Sequence, residues 1–472
     1  MIRRTGRASP IAAVSDRGAE QNGRMASMGV GDGATRQAWG ALGGDSGLVG
    51  LVGYRGGSGL GDGPLPVREL ARAAVGVCAL AAAELGAVRG GGGVAPVVVD
   101  EGAVATAFIS ERHLRVAGRQ PVSFAPLSGF WRAADGWVRT HANYPHHEAA
   151  LVRALGVAAT PEAVREAVAR RAAGEVQELV YGEGGLAVAV AEGYGAALPL
   201  VEWEAGEPRG RALGAAPAGR PAAGVRVLDL TRVIAGPVAT RTLGLLGADV
   251  LRIDSPGLPE ADDAYADTGF GKRSALLDLG DAGDRAVFEG LLAGADVVVT
   301  GYRPGALERY GLGARELLAR YPGLVVAQLC AWGWQGPWAG RRGFDSLVQA
   351  GYGLAAACGD GTRPGVLPAQ ALDHGTGYLV AAGVLRALAG GGGRALRFSL
   401  AGTASWLVRD IPAAAAAAAP EPGYTPDPWL RETDSGYGRV RYAAPPLPAE
   451  PYGDWPHGPS RWGKDHPAWR DR

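Results

Sequence analysis

Three histidines lie close together in the segment HANYPHH, at His141, His146 and His147. Imidazoles grouped in this way could bind a transition metal. No cluster of cysteines or carboxylates accompanies them, so we interpret all three as surface histidines and predict no metal cofactor. The three cysteines of the chain form no CxxC pair, and their odd number fits neither a zinc site nor a disulfide framework.

Basic side chains near the ends of predicted strands form a second group that could do chemistry. They are Arg252, Lys272, Arg273, Arg303 and Arg309. Guanidinium and ammonium groups bind phosphate through charge-assisted hydrogen bonds. Taken alone, each residue is more typical of a solvated surface, whereas their clustering favours a binding role. Lys272 is notable because Lys464 is the only other lysine in the chain.

The part of the chain that carries these residues alternates short apolar runs with helical patterns. Strands are predicted at 225–230, 249–253, 274–277, 296–300 and 324–328. This alternation predicts an α/β fold, with a parallel sheet covered by helices on both faces. Ligands of such sheets bind beyond the carboxyl ends of the strands. The predicted binding loops are therefore 232–237, 254–257 and 301–305.

Composition divides the chain into five predicted parts. They are a disordered leader at 1–35, a first globular part at 36–204, a Gly/Ala/Pro-rich linker at 205–223, a sheet domain at 224–410 and an Ala/Pro/Trp-rich tail at 411–472. Four-glycine runs at 90–93 and 390–393 each follow an alanine-rich helical pattern and precede an apolar strand-like run. These runs indicate either an internal repeat or a coincidence in a glycine-rich chain.

Charge and hydropathy exclude some classes of function. The chain has 47 basic and 47 acidic residues, without the basic surplus that is typical of nucleic-acid-binding proteins. No run of about eighteen apolar residues predicts a membrane-spanning helix. The polar opening segment lacks the apolar core of a signal peptide. We therefore expect a cytoplasmic protein without nucleic-acid or membrane partners.

Five segments of the sheet domain, in order and at sensible spacing, resemble the class III CoA-transferases, the CaiB/BaiF family. The segments are VLDLTRVIAGPVATRTLGLLGADVLRID, GKRSALLDL, ADVVVTGYRPGALERYGLG, GWQGPWAGRRGFDSLVQAGYG and ALDHGTGYLVAAGVLRAL. That family includes formyl-CoA transferase, carnitine-type CoA-transferases and α-methylacyl-CoA racemase. The resemblance implies a Rossmann-like parallel sheet domain with a smaller α+β domain. It also implies that the chain transfers coenzyme A between an acyl-CoA and a carboxylic acid.

The resemblance implies that Asp373, in ALDHGTG, is the nucleophile and forms covalent aspartyl intermediates with the acyl group and then with CoA. It implies that Gly375 and Gly377 let the backbone approach the thioester. Asp345, in GFDSLVQ, would position the substrate or tune Asp373 through like-charge proximity. The residues alone also allow Asp373 to cap the following helix, and allow Asp345 to be a surface or capping aspartate.

The resemblance also implies contacts to coenzyme A. Three neighbouring residues would line the pantetheine channel: Val233, Ile234 and Ala235. Six others would lie toward the nucleotide end: Arg252, Lys272, Arg273, Tyr302, Arg303 and Arg309. Gly301 replaces an asparagine that the family usually has, which would weaken or alter the adenine contacts. Phe344 occupies the position of a histidine in the racemases and argues against racemase chemistry.

The first part contains GFWRAADGWVRTHANYPHHEAALVRALG, which resembles the small domain of the family. The family places that domain after the sheet, whereas here it precedes the sheet. If the glycine runs mark a repeat, the position equivalent to Asp373 falls near Ala73, so the first copy lacks the nucleophile. The chain would then be a fused pseudo-dimer, and a homodimer is the alternative.

Two further functions compete with CoA transfer and racemisation. A nicotinamide-dependent dehydrogenase is disfavoured because the loop RVIAGP lacks the GxGxxG spacing. A non-catalytic acyl-CoA-binding subunit is consistent with the unusual domain order and with Gly301. The sequence leaves open which acids would be exchanged.

Overall fold

The computed structural model describes residues 33–57, 59–61, 63–206, 210–412 and 423–471. The predicted leader lies outside the described residues except for its last three positions, which begin a helix. The alanine run at 413–419 also lies outside the described residues.

The described strands are β1 (Val52–Arg55), β2 (Val97–Asp100), β3 (Arg115–Val116), β4 (Phe130–Arg132), β5 (Trp137–Thr140), β6 (Ala187–Ala189), β7 (Glu202–Ala205), β8 (Arg226–Leu230), β9 (Asp249–Asp254), β10 (Lys272–Leu276), β11 (Val297–Thr300), β12 (Val325–Cys330), β13 (Arg394–Ser399), β14 (Leu430–Ser435) and β15 (Gly438–Ala443).

The described α-helices are α1 (Gly33–Ala41), α2 (Val67–Gly90), α3 (Glu101–Phe108), α4 (Ser110–His113), α5 (Pro145–Leu155), α6 (Pro161–Ala169), α7 (Ala173–Gly182), α8 (Ala235–Leu245), α9 (Asp262–Thr268), α10 (Ala282–Ala293), α11 (Ala314–Arg320), α12 (Asp345–Gly351), α13 (Leu354–Ala357), α14 (Ala371–Ala389), α15 (Leu400–Arg409) and α16 (Ala449–Tyr452). Short 3₁₀ turns occur at Ser46–Leu51, Glu308–Tyr310 and Asp427–Trp429.

Seven strands form one large sheet in the order β10-β9-β8-β11-β12-β13-β7. Every neighbouring pair is parallel except β13 and β7, which are antiparallel. The five strands predicted from the sequence correspond to β8 through β12. The prediction of an α/β fold around a mostly parallel sheet is confirmed.

Apolar residues cover both faces of this sheet, because successive strand residues point to opposite sides. In β11, Val297 and Val299 enter the core that contains α8 and α14. Val298 enters a second core with Phe288 of α10 and Leu317 of α11. A parallel sheet that is apolar on both faces needs helices on both faces, and they are present.

A smaller α+β unit precedes the large sheet in the chain. Strands β4, β5 and β6 form an antiparallel sheet. Helices α5, α6 and α7 pack on it around a separate core, in which Trp131 and Val138 of the sheet meet Leu151, Val164 and Val176 of the helices.

Helix α2 of the first part packs along α14 of the sheet domain, so the two parts share one apolar core. Each helix is followed by its glycine run, then by a strand that pairs in parallel with the strand before the helix, and then by another helix. The elements after α2 are β2 and α3, and those after α14 are β13 and α15. The repeated order of elements that the sequence indicated is therefore present.

By length and composition alone, α2 is also apolar enough to cross a membrane. The prediction from continuous apolar runs did not include α2, because charged residues such as Arg72 and Glu84 interrupt its sequence. Of its most apolar window, 67% is buried inside the protein. Packing against α14 therefore accounts for its composition in this structure.

The predicted linker and tail both pack on other elements. Ala205, the first linker residue, is the last residue of β7, and the Gly210 N–H donates to the Gly391 carbonyl at 2.7 Å. In the tail, β14 and β15 form a hairpin that pairs with β3 of the first part. The indole N–H groups of three tail residues, Trp455, Trp462 and Trp469, donate hydrogen bonds to residues of the sheet domain.

A buried ion pair joins β10 to β8 and α8 below the large sheet. The ammonium of Lys272 donates to Asp229 Oδ2 at 3.1 Å, to the Pro237 carbonyl at 2.9 Å and to Thr240 Oγ1 at 2.5 Å. Both charged side chains are fully buried. Burial lowers the pKa of Lys272 to about 8, although Asp229 opposes this shift.

We expect Lys272→Ala to lower the free energy of unfolding by about 3–5 kcal/mol, because it leaves the buried Asp229 carboxylate without its cation. Lys464→Ala is the matched control, since Lys464 is exposed and its replacement should change stability by no more than about 0.5 kcal/mol. Urea unfolding followed by circular dichroism measures both. A loss below about 1 kcal/mol in Lys272→Ala would show that the buried pair contributes little.

Candidate functional site

A cavity of about 520 Å³ opens at the carboxyl edge of the parallel strands. Its wall includes Leu230 at the end of β8, Asp254 at the end of β9 and Cys330 at the end of β12. Residues of all three predicted loops, 232–237, 254–257 and 301–305, contribute to the wall. The location predicted from the strand alternation is thus where the cavity lies.

Asp373 lies in the first turn of α14 and forms part of the cavity wall. The residue is only 6% exposed. Burial raises the pKa of the Asp373 carboxyl well above its usual range, and the nearby carboxylates of Asp345 and Glu111 raise it further. A carboxylate kept in such surroundings faces the cavity with little solvation, which increases its reactivity when it is ionised.

Asp345 lies directly behind Asp373, at the start of α12, and is fully buried. Its Oδ2 accepts a hydrogen bond from the backbone N–H of Asp373 at 2.9 Å. Its Oδ1 accepts one from the Gln349 side chain. Burial raises the pKa of Asp345 to about 6. Asp345 is not part of the cavity wall and holds the turn that carries Asp373 from behind. Its role toward the substrate or toward Asp373 stays a prediction.

The glycines after Asp373 serve helix packing. A Cβ on Gly375 would lie 2.7 Å from Leu70 of α2. A Cβ on Gly377 would lie 2.6 Å from the Ala235 carbonyl and 2.9 Å from Val238 of α8. The space beside both glycines is filled by protein, which corrects the prediction that they admit a thioester.

Five of the nine residues predicted to contact CoA line the cavity: Val233, Ala235, Tyr302, Arg303 and Arg309. Ile234 is absent from the wall and packs against the large apolar core. Val233 has a φ of 70°, which is strained for a β-branched residue. Its backbone N–H points to Glu260 Oε2 at 3.4 Å. Strain of this kind persists only where the surroundings enforce it, and it occurs most often at functional sites.

The structure places the other three predicted basic residues away from the cavity wall. Lys272 is held inside the protein by Asp229, and Arg252 is fully buried between Asp254 and Glu260. Arg273 forms a bidentate pair with Asp249.

The reason for this correction lies in the strand geometry. Lys272 and Arg273 begin β10, so they lie at the amino edge of the sheet, opposite the cavity. Arg252 lies inside β9, where its side chain points to a face of the sheet. Proximity to a strand end therefore did not distinguish the edge that forms the cavity.

The histidine segment belongs to the wall of the cavity. Tyr144, His146 and His147, from the smaller α+β unit, line it. His141 and His147 are buried, and the His141 ring stacks on Phe344 at 4.0 Å. Burial lowers the pKa of both histidines to about 3. The interpretation as surface histidines is correct for His146 only. Among the described residues, no group of histidine, cysteine and carboxylate side chains could hold a metal ion.

Sequence reasoning missed Arg342, which lines the cavity two positions before Phe344. Burial and the nearby Arg303 lower the pKa of the Arg342 guanidinium. The neighbouring Arg341 pairs with Glu178 at 2.8 Å. The ion pairs formed by described residues include neither Arg303 nor Arg342, so these two cations face the cavity together. The paired arginines in AGRRGFDS were the available signal.

Two positions that differ from the family pattern also line the cavity. A Cβ on Gly301 would lie 3.5 Å from Thr231, an ordinary contact, so the wall has room for a side chain there. Phe344 lies in the cavity wall, and its ring stacks on that of His141.

Comparison with known proteins finds a family match for the part of the chain that contains this site. Residues 223–431 match the model of CoA-transferase family III. Over 203 residues the chain is 36% identical to an acetyl-coenzyme A transferase of Hypoxylon pulicicidum. This match covers 41% of this chain and 34% of that protein. Over 165 residues it is 34% identical to the succinyl-CoA:glutarate CoA-transferase of Homo sapiens, covering 31% of this chain and 37% of that protein.

A crystal structure of a hypothetical protein from Mycobacterium tuberculosis is 32% identical, with a TM-score of 0.38, covering 41% of this chain and 57% of that one. The chain spans less than half the length of the two curated relatives above. The matched region contains Asp345, Asp373 and all three cavity loops. The resemblance seen in the sequence is thereby confirmed for this region: residues 223–431 match the model of CoA-transferase family III.

Proposed function

We propose that this protein transfers coenzyme A between an acyl-CoA and a carboxylic acid, with Asp373 as the nucleophile. One observation carries the proposal: the Asp373 carboxylate lies in the wall of the cavity at the carboxyl edge of the sheet, while Asp345 holds its backbone from behind. The matched relatives named as CoA-transferases support the same reaction class.

The reaction runs through four exchanges at three carbonyl carbons: those of the first acyl group, of Asp373 and of the second acyl group. The ionised Asp373 carboxylate attacks the thioester carbonyl and expels CoA thiolate, which leaves a mixed anhydride. The thiolate attacks the Asp373 carbonyl, which releases the first acid and leaves an aspartyl-CoA thioester. A second carboxylate attacks this thioester and expels the thiolate again, and the thiolate then attacks the new acyl carbonyl. Asp373 is regenerated, and each step is easier than direct exchange.

We assign different parts of the cavity wall to the two ends of an acyl-CoA. Val233 and Ala235 lie in the wall with Asp373 and would contact the methyl and methylene groups of the pantetheine arm. Arg303, Arg309 and Arg342 would bind the phosphates through charge-assisted hydrogen bonds. Gly301 leaves room beside them for the nucleotide base.

The arrangement of the whole chain is part of the proposal. The smaller α+β unit, which precedes the sheet here, covers the cavity with Tyr144, His146 and His147. Helix α2 packs along α14, and we infer that α2 corresponds to α14 in a first copy of the repeat, with Ala73 in the position of Asp373. We infer that the first part, 36–204, is a degenerate copy fused to the catalytic domain at 224–410, in a cytoplasmic enzyme.

The first test is intact-protein mass spectrometry after incubation with a panel of acyl-CoAs, with borohydride or hydroxylamine as the trap. We expect an adduct at Asp373 in the wild type and none in Asp373→Ala. Asp278→Ala, which removes another aspartate of the same cavity wall, should retain the adduct. Binding of CoA without any adduct would contradict transfer and favour a non-catalytic acyl-CoA-binding protein. Deuterium exchange at the α-carbon without an adduct would favour a racemase.

The second test concerns Arg342. We expect Arg342→Ala to raise the KM for acyl-CoA roughly tenfold with kcat nearly unchanged, because a charged hydrogen bond to phosphate contributes about 1.5–3 kcal/mol. Arg341→Ala is the matched control, since Glu178 already neutralises Arg341. Steady-state kinetics measure both variants. Equal effects in the two would assign no phosphate contact to Arg342.

The third test measures how the ionisation of buried Asp373 changes the stability of the folded protein with pH. An acid whose pKa is raised by folding destabilises the folded state as pH rises from the unfolded pKa of about 3.9 through the folded value. We therefore expect Asp373→Asn to melt at least about 2 °C above the wild type at pH 8 and at the same temperature near pH 4. The exposed Asp410→Asn should show no such difference. A lower melting temperature for Asp373→Asn at pH 8 would contradict the raised pKa.

A further inference from the structure

A second ionisable pair lies on the side of α14 that faces the first part. His374, the residue after Asp373, is fully buried and stacks on Phe108 at a centroid distance of 5.3 Å. Its Nε2 lies 3.7 Å from Oε2 of Glu111, in α4. Among the described residues, neither ring nitrogen of His374 nor this Glu111 oxygen has a hydrogen-bond partner. The only ion-pair contact that described residues make with His374 is thus the one between its Nε2 and Glu111 Oε2.

The Glu111 carboxylate influences the site of Asp373 by its charge. It raises the pKa of Asp373 and also that of Asp345. Burial would raise the pKa of Glu111 itself, but the contact with His374 and its charge lower it below the usual range. A negative Glu111 without a partner would thus oppose the ionisation of Asp373, and a cation beside Glu111 removes that opposition.

Other charged groups lie near this pair. Glu111 interacts with Arg112 on α4, and its charge acts on Asp345 and Asp373. His113, on α4, interacts with Glu111 and with Arg115 on β3 and Arg441 on β15. The Arg241–Asp267 pair lies beyond Ser110. Arg112 contacts Glu111 at 3.6 Å, but its side chain is 48% exposed, so solvent screens it. The His374 side chain is fully buried and that of Glu111 is 23% exposed, so His374 is the less screened of the two cations beside Glu111.

We propose that Glu111 and His374 form an imidazolium–carboxylate pair that balances the charge behind Asp373 and so favours the ionised form of Asp373, which is the form that attacks. This inference rests on the proposed function. Both are positioning residues, because they act through Asp373 and do not touch the substrate. Since Glu111 comes from the first part, that part supplies one half of the electrostatic support of the nucleophile.

The test is the pH dependence of kcat/KM for acyl-CoA in three variants. In His374→Phe, which keeps the ring stacking, Glu111 loses its buried cation, so the acidic limb should move up by one pH unit or more. The rate below that limb should fall about tenfold. In Glu111→Gln the limb should stay in place or move down. The double variant Glu111→Gln/His374→Phe, with no charge in the pair, should return the limb to the wild-type position.

Arg112→Gln is the control, because removal of the exposed cation should leave the limb in place. A purely structural role would change kcat or the melting temperature without moving the limb, and the double variant would then be worse than either single variant. Either of those results overturns the proposal. Should His374→Phe fail to fold, His374→Gln carries the same prediction.

Infrared difference spectroscopy separates this inference from the proposed function. The protonated-carboxyl band in wild type minus Asp373→Asn reports Asp373 ionisation without turnover. The pair is supported if this band persists to higher pH in His374→Phe than in the wild type, even if no acyl-CoA reacts. An unmoved band overturns the pair whether or not the protein transfers CoA.

Discussion

Helix α14 is buried along nearly its whole length, and the rest of the structure is arranged around that constraint. Its first turn carries Asp373, so the helix can expose nothing there except the face that meets the cavity. Close approach on the other sides requires glycine at Gly375 and Gly377, because α2 and α8 fill the space that side chains would occupy. The turn that carries Asp373 is thus fixed by packing against α2 and α8, and the Asp373 side chain is open toward the cavity.

The sheet and the position of the cavity could be predicted from the sequence because they depend on local patterns. Apolar runs of strand length, separated by helical spacing, specify a parallel sheet, and a parallel sheet specifies the edge where loops meet. Asp373 was found by its place in a family motif, and the structure puts it in the wall of that same cavity.

The failures arise where long-range packing decides. Lys272 and Arg273 carry the right charge at the wrong edge of the sheet. They begin β10, so they lie at its amino end, whereas the cavity lies at the carboxyl ends of the strands. His147 was predicted at the surface because histidine is polar, yet it is buried in the cavity wall. Arg342 lies in the cavity wall beside Arg303 only in the folded chain, because the two residues are far apart in sequence. None of these contacts is local in sequence.

The shared core of α2 and α14 has a consequence for how the chain is made. The two helices are separated by about 300 residues, and ribosomes add about 5–20 residues per second. Helix α2 therefore waits roughly 15–60 s for the partner that covers its apolar face. During that interval the face of α2 that α14 will cover lacks this partner, and exposed apolar surface of this kind is what chaperones shield on nascent chains. Contacts between such distant segments also make spontaneous refolding slow.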